Sequence, residues 1–203
     1  MSNAILDKTG ALARTGPLKL DLGCGATKLA PDYVGVDALD GPAVDVVGDV
    51  IEVLRSLEDQ SVGEIYSSHL FEHIEDLDGL VGEIERVLLV GGRLIARVPH
   101  FSNPYYYSDP THRRPFGLYT FSYFAEDSML RRRVPAYGHD QRLQLERVRL
   151  NFRSSTEFHF RYRVKAAVGR IVNQSTWLQE LYEENLAWIV PCYELEFMLV
   201  KVR

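Results

Sequence analysis

Leu18-Lys19-Leu20-Asp21-Leu22-Gly23-Cys24-Gly25 is the stretch on which the fold turns. A short apolar run ends in a carboxylate and meets two glycines separated by one residue. A buried strand entering a glycine turn is how a parallel α/β sheet offers main chain to a nucleotide-like ligand at the strand's carboxyl end. Glycine has no Cβ, so it reaches φ > 0 and lets a ligand approach the backbone closely. A dinucleotide fingerprint would place a third glycine at position 28, and Lys28 stands there instead. A nicotinamide-dependent oxidoreductase is therefore the disfavoured reading.

Reading outward, Tyr33-Val34-Gly35-Val36-Asp37 is a second buried strand ending in an acid, the position that accepts from ribose hydroxyls in nucleotide-binding α/β folds. Pro31 leaves little room for a helix between the two strands. Residues 44–47 form a third short strand, followed by Gly48-Asp49-Val50. Asp49 can accept from an adenine amine, cap a helix over residues 51–57, or do both. Residues 62–67 are a fourth strand, ending in Ser68-His69-Leu70-Phe71-Glu72-His73. Leu77, Leu80, Val81, Ile84, Val87 and Leu88 recur at helical spacing and define one buried stripe. Gly91-Gly92 stops that helix, and residues 93–98 make a fifth strand. Residues 144–152 read as a sixth strand and 193–202 as a last one, with helix-rich chain over 163–189 broken near Gly169 and Ser175. Strands alternating with helices imply an α/β, doubly wound, Rossmann-like sheet of seven strands, mostly parallel. The right-handed crossover rule then gathers Asp21, Asp37, Asp49 and Ser68/His69 on one edge.

The segments at residues 20–25, 35–37, 48–49, 68–74 and 91–98, in that order, resemble the successive motifs of class I S-adenosylmethionine (SAM) dependent methyltransferases of the type 11-like family. That resemblance implies SAM as cofactor, S-adenosyl-L-homocysteine as product, and a last strand inserted antiparallel to the rest. It implies that Asp21 and the backbone of Gly23, Cys24 and Gly25 hold the methionine part and Asp37 the ribose. Gly48, Asp49 and Val50 would lie at the adenine, and Ser68 and His69 beside the methionine part. The chain departs from the pattern in its short first helix and in Lys28, which either reaches the methionine carboxylate or lies at the surface.

Charge divides the chain. Residues 1–96 carry 7 basic and 17 acidic side chains, whereas residues 97–170 carry 14 and 6. The acidic half suits a ligand with cationic character, and the basic segment an anionic, small or medium-sized acceptor, unless its arginines form a solvated face. Residues 99–143 are read as a lid and substrate segment within a single domain over 1–203. Its prolines forbid a long helix, and positions 101–124 hold nine of the 22 aromatic residues, to wall off water, to contact substrate or to pack the segment onto the sheet. Methyl transfer needs alignment, exclusion of water and, for a hydroxyl or amine, removal of a proton. His112 and His100 are the candidate bases, with Asp109 to orient or replace one of them. Tyr106, Arg113 and Arg114 are the candidate acceptor contacts. His69, Glu72 and His73 share an i, i+3, i+4 spacing that could hold a metal, but they are read as orienting the loop, and no metal is expected.

Two cysteines give no disulfide framework or metal-ligand spacing, no apolar run reaches the length of a membrane span, and no secretory signal opens the sequence, so the cytoplasm is the expected compartment. No nucleic-acid recognition module is legible, and a nucleic-acid partner is not expected. A non-catalytic SAM-binding scaffold is the alternative that these residues leave open.

Overall fold

The computed structural model describes residues 5–135, 142–154 and 157–203. Its strands are β1 (Leu6–Asp7), β2 (Leu18–Leu22), β3 (Val34–Asp37), β4 (Val46–Val47), β5 (Val62–Ser68), β6 (Leu88–Pro99), β7 (Asp127–Ser128), β8 (Leu143–Asn151) and β9 (Glu194–Lys201). Its α-helices are α1 (Val50–Arg55), α2 (Leu77–Val87), α3 (His159–Val172) and α4 (Thr176–Asn185). All strands belong to one sheet, in the order β1-β4-β3-β2-β5-β6-β9-β8-β7.

The central strands β4, β3, β2, β5 and β6 are parallel, so their carboxyl ends share one edge. They are apolar because helices and loops cover both faces: Leu20, Leu22, Val36, Ile65, Leu94 and Ala96 are all fully buried. The strand β9 lies antiparallel between β6 and β8, as the family resemblance implies. Among the described residues the sheet has nine strands rather than seven. The two additions, β1 and β7, are two-residue edge pairings, too short to leave an alternation in the sequence. The α2 helix is the amphipathic element expected: Asp76 caps it by accepting from Gly79 N–H (2.8 Å), and Leu77, Leu80, Val81, Ile84 and Val87 are buried.

Three boundaries differ from expectation for local reasons. The helix ends at Val87 and β6 begins at once, running through Gly91 (φ +81°) and Gly92, because Gly92 passes too close to Gly63 and Leu89 for a side chain. The third strand shrinks to Val46–Val47, since Asp45 is turned to the main chain of Gly35. Gly169 does not break α3; it makes room for the Phe152 ring, whose Cδ2 would lie 3.1 Å from an added Cβ.

Residues 99–127 contain two 3-10 turns, Tyr106–Ser108 and Thr120–Phe124, and no α-helix. Phe116 and Phe121 are fully buried and stack at 6.0 Å, with Phe121 meeting Phe71 at 5.6 Å and Phe197 at 4.3 Å, which fastens the segment to the sheet. Tyr105 and Tyr107 are exposed. Positions 136–141 of the expected lid lie outside the described residues. Among the described residues no helix is long and apolar enough to cross a membrane.

Candidate active site

The glycine turn is built by carboxylates that hold main-chain N–H groups. Gly23 (φ +70°) and Gly25 (φ +55°) take the left-handed conformation, which costs other residues free energy. Gly23 N–H donates to Val36 O (2.8 Å), tying the turn to β3. Gly25 N–H donates to Asp37 Oδ2 (2.9 Å), while Leu39 N–H donates to Asp37 Oδ1 (2.9 Å). Asp21 is buried and accepts from Leu29 N–H (2.7 Å); burial pushes its carboxyl up, partly offset by that bond and by Lys28. Two acids on adjacent parallel strands thus bind main-chain N–H groups of the loop.

Lys28 neither lies free at the surface nor extends toward the loop's ligand edge. Its stem covers Gly35, where an added Cβ would lie 2.9 Å from Lys28 Cδ and 2.4 Å from Ala43 O. Its Nζ meets Asp45 Oδ2 at 2.7 Å, and the same oxygen accepts from Gly35 N–H at 2.9 Å. Burial opposes the Asp45 charge, but Lys28 and the Gly35 N–H outweigh it and hold the carboxyl below its ordinary range. Lysine therefore stands where a dinucleotide fold has its third glycine because it stabilises the β3–β4 connection. Cys24 is buried against that connection, and its thiol is pushed up to about 11 by burial and by Asp21 and Asp37, so it stays protonated.

At the neighbouring strand ends, Gly48 is buried and Asp49 caps α1, Oδ1 accepting from Ile51 N–H (2.9 Å) and Glu52 N–H (3.2 Å). Val50, the first residue of α1, is buried. Ser68 ends β5, and His69 follows with φ +58°, a conformation rare outside glycine. The surroundings over-determine that turn. His69 N–H donates to Arg97 O (2.9 Å), Nδ1 lies 3.2 Å from Glu72 Oε1, and Nε2 lies 3.2 Å from Glu194 Oε2. Glu194 and Glu72 raise the imidazole to about 9, so it is cationic at neutral pH although its side chain is 39% exposed. Glu194 also receives Arg153 (2.9 Å) and Asn151 (3.2 Å). Leu70 packs on the glycine turn, its Cβ 3.1 Å from where a Gly23 Cβ would sit.

The candidate acceptor residues divide into two groups. His112 is held beside this edge: its ring stacks on Tyr106 (centroids 4.9 Å), and Nδ1 bonds Tyr106 O (2.8 Å). Asp109 lies 3.7 Å from its Nε2 and accepts from Thr111 N–H (2.9 Å) and Thr111 Oγ1 (2.6 Å). Arg113 N–H donates to Glu72 O (2.7 Å), and Arg114 donates to Glu75 O while its Nε is buried without a partner. His100 belongs elsewhere. It is fully buried; Nδ1 accepts from Ser102 N–H (3.0 Å), and Nε2 donates to Glu183 Oε2 (2.8 Å), so both ring nitrogens are occupied.

Much of the basic segment surrounds a cavity of about 1100 Å³ between β8, α3 and α4, lined by Arg97, Arg147, Arg149, Arg153, Lys165 and Arg170. Arg97 and Arg147 are paired there with Glu196. Sequence reasoning passed over Asp45, Thr111, Glu183, Glu194 and Glu196. The carboxylates inside the otherwise apolar run of β9 were the one signal available for the last two.

Residues 20–96 match the family model described as a methyltransferase domain. This stretch, which carries the acid-tipped strands and the glycine turn, is thus similar to methyltransferase domains over 77 of the 203 residues. The fold agrees. A SAM-dependent methyltransferase from Archaeoglobus fulgidus superposes with a TM-score of 0.55 at 19% identity, covering 92% of this chain and 87% of that one. Phosphoethanolamine N-methyltransferase 2 of Haemonchus contortus, in complex with SAM, superposes with a TM-score of 0.52 at 18% identity; the match covers 94% of this chain and 50% of that protein. Comparison with curated proteins yields no match.

Proposed function

We propose that this chain transfers the methyl group of SAM to an oxygen or nitrogen of a small or medium-sized anionic acceptor. The observation that carries the cofactor half is the bond from Gly25 N–H to Asp37 Oδ2, which brings the acid of the second strand against the glycine turn. A ribose seated there meets a carboxylate already oriented by two main-chain donors, so little ordering cost remains for binding. In this reading Asp21 and the turn of Gly23, Cys24 and Gly25 hold the methionine part. Gly48, Asp49 and Val50 face the adenine, and Ser68 and His69 flank the methionine part from β5.

The acceptor lies against Tyr106, Arg113 and Arg114. The buried, unpartnered Nε of Arg114 supports an anionic ligand, because a buried donor without an acceptor costs about 1–3 kcal/mol until it finds one. The exposed Tyr105 and Tyr107 flank the same 3-10 turn, where they can cover a bound acceptor. The proton leaving the acceptor passes to the group formed by His112 and Asp109. His100 braces the segment instead.

Calorimetry with SAM and with NAD tests the cofactor. The reading expects micromolar SAM binding and none for NAD, and tighter NAD binding overturns it. Incubation with anionic metabolite pools and mass detection of S-adenosyl-L-homocysteine tests turnover. SAM binding without turnover of any pool favours a scaffold over an enzyme.

A further inference from the structure

We propose that Glu72, His73 and His112 form a binding site for one divalent cation of borderline softness, with Zn²⁺ as its representative. One ligand atom of each lies within 4.8 Å of the others. Glu72 and His73 come from the 3-10 turn after β5, and His112 from the segment after β6, so the site closes the loop region onto the sheet. His69, which shares the i, i+3, i+4 spacing with Glu72 and His73, is engaged between two glutamates, and His112 is the third member of the cluster.

The hydrogen bonds around the cluster leave it with acceptors only. Thr111 has a single hydroxyl proton, which goes to Asp109 Oδ1 because a carboxylate can only accept. Thr111 Oγ1 must then accept from His73 Nδ1–H (2.9 Å). Likewise a carbonyl can only accept, so the proton of His112 sits on Nδ1, facing Tyr106 O. In the neutral form of each ring the lone pair is then on Nε2. The Asp109 Oδ2 atom, 3.7 Å from His112 Nε2, lies beyond hydrogen-bond reach of it. Glu72 is fully buried, and its Oε2 has no partner among the described residues. A buried carboxylate and two imidazoles, each offering a ligand atom within 4.8 Å of the others, are stabilised by a cation.

Two imidazoles and one carboxylate are the ligand set of an open catalytic zinc site, and they select against the all-oxygen shells of Mg²⁺ and Ca²⁺. The outer partners match as well: each ligating ring donates its other N–H to oxygen, one to a carbonyl and one through a hydroxyl to a carboxylate. Bonds of about 2.0–2.2 Å require the three ligand atoms to draw together by about an ångström, a movement of side-chain tips. With three protein ligands, the ion keeps a position for water or for an oxygen of a bound molecule. None of its ligands is assigned to SAM, but it takes up the His112 ring, so with the ion bound the acceptor's proton passes to Asp109.

The test is calorimetric titration of the chelator-treated full chain with Zn²⁺, without SAM. The expected result is one ion per chain with a micromolar or tighter Kd, and a Kd weakened more than about tenfold in His73→Ala and in His112→Ala. Thr111→Val, which frees the His73 tautomer, weakens binding by about ten- to a hundredfold. Absence of stoichiometric binding overturns the proposal, as does unchanged binding in the His73→Ala/His112→Ala double variant. Should that variant not fold, the Co²⁺ spectrum of the unaltered protein decides. Intense four- or five-coordinate bands support the site, and a weak aquo-like spectrum overturns it. SAM calorimetry on the same sample separates failure of the metal site from failure of the cofactor reading.

Discussion

The glycine-turn edge and the segment after β6 both follow the carboxyl ends of the parallel strands but are held by different kinds of bond. At the edge, carboxylates bind main-chain N–H groups: Asp37 binds Gly25 and Leu39, Asp21 binds Leu29, Asp45 binds Gly35, and Asp49 binds Ile51 and Glu52. In the segment, main-chain bonds are joined by bonds between side chains from remote parts of the sequence, as in His100–Glu183 and Thr111–His73. Main-chain bonding yields a cradle whose shape does not depend on which ligand it meets. Side-chain bonding yields a surface that single substitutions can retune, which suits the acceptor-choosing role proposed for this segment.

This contrast can be broken most forcefully at Asp37. Asp37→Ala removes the anchor of Gly25 and the proposed ribose acceptor together, and SAM affinity should fall by about 3 kcal/mol, more than a hundredfold in Kd by calorimetry. An unchanged Kd would mean that the edge does not hold the cofactor in this way. Next comes Gly35→Ala, which drives a Cβ to 2.4 Å from Ala43 O and should cost about 1–3 kcal/mol in urea denaturation. Asp45→Asn should cost about 1–2 kcal/mol by losing Lys28. Its pH signature has a definite sign. The folded-state carboxyl is held below its ordinary value, so its contribution is complete above the unfolded value near 4 and is lost as pH falls through the lower folded value. The variant should show a shallower acid limb than the parent below about pH 4. Tyr105→Ala is the mildest. This side chain is 67% exposed, so stability should stay within about 0.5 kcal/mol while the KM for the acceptor rises. A rise in the SAM KM alone would remove Tyr105 from the acceptor side.

The same contrast explains what could be read in advance. Strands β2, β3 and β5 announce themselves by apolar runs ending in polar residues, and Asp21, Asp37 and Asp49 sit beside the glycines and helix start that they serve. Contacts that span few residues leave a pattern within the chain. Lys28 was misplaced because its partner, 17 residues away, is one of several acids in the region, and spacing alone does not choose among them. His100 reads as a base until the fold delivers Glu183, 83 residues further on, to its Nε2. Glu194 stands 125 residues from His69, and no local rule pairs them. The edge strands β1 and β7 escaped for the opposite reason: two residues carry no periodicity.

The strand β9 has a consequence for how the molecule assembles. It follows both of its neighbours in the chain yet lies between them, so β6 and β8 cannot zip together as they emerge; a gap one strand wide has to persist until β9 slides in. Glu194 is the first residue of that insertion, and His69 gains its second carboxylate only then. An intermediate still lacking β9 would keep the glycine cradle intact but leave the turn at His69 braced on one side. Completion of the sheet and the bracing of the turn at His69 would then be a single event.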